Sequence, residues 1–178
     1  MAPRVAVSKL EAAQRQLDTG IRLLFEQADP IAVHTLIGAA ATLLSDLVAH
    51  KDASSSWDRK AQEATGLTPS QYFRIMREPQ NFLKHAKEDP HGRYELDPGD
   101  TEALAFWAVM NASELMPLSI ESSLFQLWYI AARSPFADPQ RSPLKDAVAI
   151  FGDLRGEDRS VRLQKGLQVL LSERGRAA

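Results

Sequence analysis

The stretch Asp29 to His50, DPIAVHTLIGAAATLLSDLVAH, decides the fold class. An aspartate able to cap, followed by a proline that suits the first helical position, opens a helix. Val33, Leu36, Ile37, Ala40, Leu43, Leu44, Leu47 and Val48 then recur at helical spacing as a wide apolar stripe that should run to about His50. Beside that stripe lies a narrow strip of His34, Gly38, Ala41 and Ser45, at spacings of 4, 3 and 4. Small residues at that spacing let a second helix cross closely, with His34 at the rim of the contact.

The same punctuation recurs outward in both directions. Ser8 and Glu11 have capping-box spacing, and Leu10, Ala13, Leu17, Ile21, Leu24 and Phe25 share one face of a helix reaching about Gln27. After the polar connector KDASSS, Trp57 to Thr65 reads as a short helix closed by Gly66. Thr68-Pro69-Ser70-Gln71 combines cap, proline and capping box again. Pro79 disfavours helical geometry at Glu78, so a new helix is expected to begin at Pro79. A loop follows from about Glu88 to Asp100, in which Tyr94-Glu95-Leu96 alone could be briefly extended. Asp100 should cap a helix reaching Met116, where Pro117 breaks or kinks it, and Ile120 to Arg133 forms a second central helix. Beyond the loop SPFADPQRSP, Ser142-Pro143 should start a helix ending near Gly156, with Asp158 capping a last one through Leu163, Leu167, Leu170 and Leu171. The expectation is an all-α, single-domain bundle of seven or eight helices centred on the two helices from Asp100 and Ile120. Residues 1–7 and 173–178 should form flexible ends. The tryptophans and most phenylalanines fall among apolar neighbours, as core residues do.

Composition narrows the function. At 178 residues, with 44% hydrophobic and 25% charged side chains, the chain can bury one substantial core. A net charge of −2 offers no overall attraction to nucleic acid or acidic membrane, although residues 141–178 carry 8 basic against 5 acidic groups. With no cysteine, disulfides, thiolate metal sites and cysteine nucleophiles are all excluded. No run of about 18 apolar residues suggests a membrane span, so the expectation is a cytoplasmic protein without cofactor or metal. The basic positions Arg155, Arg159, Arg162 and Lys165 would form a stripe on the last helix, interrupted by Glu157 and Asp158.

The chemistry-bearing stretch is Glu78 to His91, EPQNFLKHAKEDPH, which holds two of the four histidines. In a helix from Pro79, Phe82, Leu83 and Ala86 share one face, and Asn81, Lys84, His85 and Glu88 lie beyond it. Asn81 and His85 are one turn apart at the border of the buried face, where an imidazole can reach substrate. The same position suits a packed histidine making one hydrogen bond, and Lys84, His85 and Lys87 also complement the helix dipole. His85 and Asp89, with His91 beyond, have metal-ligand spacing only if His34 or another helix completes the set. No metal site is expected.

Asn81-Phe-Leu-Lys-His-Ala86, followed by Asp89-Pro90, is similar to a motif of a group of short uncharacterised bacterial proteins, N-F-F-K-H-A in type, and the likeness covers about residues 9–90. More distantly the motif resembles that of the HEPN superfamily, helical bundles that commonly dimerise and include ribonuclease toxins. That resemblance implies an Arg, a polar residue and a His four to six residues after the Arg. Here Asn81 and His85 fit while Gln80 stands in place of Arg, so the cation that would stabilise a phosphorane is missing there. Arg77 is the first candidate to replace it.

The leading expectation is therefore a non-enzymatic binding or regulatory protein, self-associating as a homodimer. Its groove would lie along Asn81 to His91, with Lys84, His34, Asp89 and His91 as contact residues for a protein partner. The alternative is a metal-independent ribonuclease in which His85 is the general acid or base and Asn81 orients it or the substrate.

Overall fold

Capping geometry fixes where the helices start. Ser8 accepts from the backbone N–H of Glu11 while the Glu11 carboxylate accepts from that of Ser8 at 2.8 Å, opening α1 (Lys9–Phe25). Asp29 accepts from Ile31 and Ala32 ahead of Pro30 in α2 (Pro30–Asp52). Ser56 caps α3 (Trp57–Thr65), which closes on Gly66 in the left-handed region at φ 68°. Thr68 and Gln71 form the capping box of α4 (Pro69–Lys84). The order is completed by α5 (Pro98–Ser113), α6 (Ile120–Arg133), α7 (Leu144–Phe151) and α8 (Arg159–Ala177). The computed structural model describes residues 4–87, 89–133 and 142–177. Residues 134–141 of the expected loop, Glu88, and residues 1–3 and 178 of the expected flexible ends lie outside them. The chain is an all-α single-domain bundle, with no strand among the described residues, Tyr94 to Leu96 included.

Several boundaries differ from the sequence reading. The largest difference is α4, which runs unbroken through Pro79. An interior proline loses one hydrogen bond and costs roughly 3 kcal/mol. Burial of the inner face of α4, where Tyr72, Pro79 and Gln80 are enclosed and Met76 joins the core, offsets that cost. Asp97, not Asp100, caps α5: its carboxylate accepts from the Gly99 N–H at 2.7 Å with Pro98 in the first turn. That helix stops at Ser113, before Pro117, and α7 stops at Gly152 (φ 73°), not Gly156. The last helix continues to Ala177.

The core also has a different centre. α5 and α6 both contribute, but the most extensive packing is that of α2 against α1 and α5. In α1, Gly20 lets Ile37 of α2 approach so closely that a Cβ there would lie 2.6 Å from Ile37 Cγ1. Phe25 of α1 meets the Trp128 ring of α6 edge-on at 5.3 Å. The Trp128 indole donates to the Arg162 carbonyl at 2.7 Å, which ties α8 to the same cluster. By length and apolar composition α2 passes for a membrane span, contrary to the sequence reading. It is packed within the bundle, and Val33, Ile37, Ala40, Leu44 and Val48 are buried there.

Gly20→Val should lower stability by about 1–3 kcal/mol through overpacking, a fall in melting temperature of roughly 2–12 °C by thermal circular dichroism. Gly175→Ala, in α8 where a Cβ meets nothing within 4 Å, should leave the melting temperature unchanged or slightly raised.

Candidate functional site

The rotation of α4 about its axis is set from the inside. Gln80 is only 5% exposed and lies against Gly38 of α2, where a Cβ would be 3.1 Å from Gln80 Cδ. Its Oε1 accepts from the Thr42 hydroxyl at 3.1 Å. With that face seated, Arg74, Glu78, Asn81 and His85, spaced 4, 3 and 4, fall in one outward row. They line a groove on the outer side of α4 with Phe82, and the following segment adds Lys87 and Asp89.

His85 ends the helix. Its backbone, at φ −124° and ψ 101°, is extended, and its N–H donates to the Asn81 carbonyl at 3.0 Å. The expected helical pairing of His85 with Asp89 is thereby lost, because the chain has left the helix between them. Asp89 joins the groove through a turn in which its carbonyl accepts from the Gly92 N–H at 3.3 Å. Any Cβ at Gly92 would strike the Asp89 carboxylate and come within 3.0 Å of the Phe82 ring, so glycine permits this fold-back. Phe82 in turn lies 5.4 Å from the Tyr94 ring. The side chains of Asn81 and His85 are exposed and form no hydrogen bond with another described residue.

The electrostatics are balanced. Arg74 and Lys87 are matched by Glu78 and Asp89, and the carbonyl end of the α4 dipole adds negative character near His85. Arg74 precedes His85 by eleven residues, about 16 Å of helical rise, so the two start three turns apart although both line the groove. Among the described residues no three His, Asp or Glu side chains cluster as a metal site.

The other residues singled out from sequence lie elsewhere. Arg77 does not join His85: its guanidinium stands over the Phe73 ring at 4.6 Å and pairs with Asp46 of α2 at 3.4 Å. Lys84 and His91 are exposed but do not line the groove. His34 is 1% exposed, not at a rim, and its Nδ1 shares a 2.9 Å hydrogen bond with the Thr101 hydroxyl of α5. Burial holds the His34 imidazole below its ordinary pKa of 6.5, partly opposed by the charge of Asp100. His34 and His85 therefore do not share a site. The basic stripe is largely engaged as well, Arg155 with Asp153, Arg159 with Glu102 and Lys165 with Glu157. Sequence reading missed Arg74 and Glu78 as neighbours of Asn81, although their helical spacing is visible once α4 is continuous.

Gln80→Arg, the change that would restore the HEPN-type cation, should lower stability by about 2 kcal/mol or more, because position 80 faces α2 and a charge there is buried. Denaturation with parallel assay of RNA cleavage reads both effects, and no cleavage should appear. His34 supplies a second expectation. Its folded-state pKa lies below the unfolded value, so its contribution is complete above about pH 6.5 and declines as the pH falls below that. Urea midpoints at pH 7.5 and 5.5 should show that decline in the wild type and a shallower one in His34→Gln.

No family model, no curated protein and no solved structure matches the chain, and the site therefore stands on its geometry alone.

Proposed function

We propose that the chain is a non-catalytic helical binding or regulatory protein whose α4 groove receives a segment of a protein partner. The observation that carries this reading is the pair Asn81 and His85. They stand one turn apart on an exposed helix end, unengaged by the described residues, beside the apolar ring of Phe82. An amide and an imidazole of this kind supply donors and acceptors for a backbone or polar side chain, and the ring supplies an apolar seat. Balanced charges on the walls favour a partner of mixed charge over a polyanion.

The ribonuclease alternative keeps one favourable feature, an accessible His85 with Asn81 beside it. A general acid or base alone supplies about 10² to 10⁴ in rate, and phosphoryl chemistry also needs a cation at the developing charge. Arg77 is held by Asp46 and Arg74 starts three turns from His85, so neither takes the place of the motif's Arg, and Lys87 is the groove's cation closest to His85 in sequence. The HEPN resemblance supports a homodimeric state, which light scattering of the purified chain reads directly.

The test pairs the wild type with the double variant Asn81→Ala, His85→Ala, matched for helicity by circular dichroism. Proteins captured from an extract of the source organism by the wild type should be retained at least tenfold less by the variant. Equal retention removes the groove from the reading. RNA cleavage by the wild type that vanishes in His85→Ala replaces it with the nuclease.

A further inference from the structure

A second concavity lies between α4 and α5 and shares only Ile75 and Glu78 with the groove. Its volume is about 210 Å³. The rings of Trp107 and Tyr94 and the side chain of Leu104 form walls, Glu78 and Asp100 bring carboxylates to it, and His34 closes its buried end. No described Lys or Arg lines it, and neither carboxylate forms an ion pair with a described residue. The Tyr94 phenol is pushed above its ordinary pKa by burial and then by the charges of Glu78 and Asp100, which places both carboxylates within electrostatic reach of that ring. The buried imidazole of His34 has one nitrogen on Thr101, while Nε2 has no hydrogen-bond partner among the described residues.

We infer that this cavity binds the alkylammonium group of a small amine or of a lysine side chain. Carboxylates that form no ion pair with a described residue attract a cation and repel an anion, and a positive group is stabilised further by aromatic faces. Apolar walls suit the methylene stem. The size agrees, because a cavity of about 150 Å³ already admits benzene, so this one takes a four-carbon chain with its head group. The inference does not depend on the reading of the groove.

The test titrates the full ¹⁵N-labelled chain with n-butylammonium, Nα-acetyl-lysine amide and n-butanol. NMR follows the Trp107 indole and the Tyr94 and Ala103 amides, with the Trp128 indole as an internal control. Both amines should give saturating shifts at the cavity while butanol gives none. Glu78→Gln and Asp100→Asn should each weaken binding about three- to tenfold in variants of unchanged melting temperature. A lysine derivative bound tenfold more tightly than butylammonium assigns the site to a protein side chain, and equal affinities assign it to a free amine. Shifts that do not saturate with either amine, equal shifts with butanol, or affinities untouched by both carboxamide variants overturn the inference.

Discussion

Close approach at α2 governs this bundle. Gly20 of α1 admits Ile37 from one side, and Gly38 of α2 itself admits Gln80 of α4 from another. Interiors are packed at crystal-like density, so the absence of a single Cβ at each crossing determines which helix faces can meet. α2 is apolar through most of its circumference and must be covered by several partners. Once α1 and α5 cover it, the remaining contact with α4 fixes which row of α4 looks inward. The outward row of Arg74, Glu78, Asn81 and His85 is a consequence of that seating.

Buried polar groups then hold the periphery. Asp58 of α3 accepts from the Tyr72 hydroxyl at 3.1 Å and from the Asn111 amide at 2.8 Å, so α3, α4 and α5 share one buried carboxylate. The Gln80 contact lies two turns further along the same helix. α4 is thus pinned at both ends of its inner face, and its proline sits between the two pins. On the far side Glu102, fully buried, accepts from Arg159 at 2.7 Å and Arg133 at 3.2 Å, which joins α5 to α6 and α8. Removing one side of such an arrangement leaves a buried group uncompensated, so these contacts specify the arrangement of the helices more than they add to its stability.

The fold class and most helix starts were legible in sequence because they rest on local chemistry. Ser8 with Glu11, Asp29 with Pro30 and Thr68 with Gln71 carry their own hydrogen-bond partners within three residues. Asp97-Pro98 has the same signature as Asp29-Pro30, but it lies within the stretch that reads as a loop up to Asp100. Pro79 was misread for a deeper reason. A proline's preference is a local free energy of a few kcal/mol, and the packing that overrides it involves residues such as Gly38 and Thr42, some forty positions away. The misplaced break hid the row from Arg74 to His85, and nearness in sequence alone suggested Arg77, which pairs with Asp46. His34 shows the same limit: its strip of small residues was visible, but its partner Thr101 lies 67 residues on.

Glu78 belongs to both concavities, and this single carboxylate gives α4 a means of relating them. In the groove Glu78 offsets the charge of Arg74, one turn earlier, and helps to keep the walls neutral. In the cavity it stands near Tyr94 with Asp100, where no described Lys or Arg lines the wall. An alkylammonium held there draws on the same negative charge, leaving Arg74 and Lys87 opposed in the groove by Asp89 alone. Under the two proposals together the groove then becomes net positive without any movement of its walls, and by linkage an acid-rich partner segment and the amine strengthen each other's binding by the same factor.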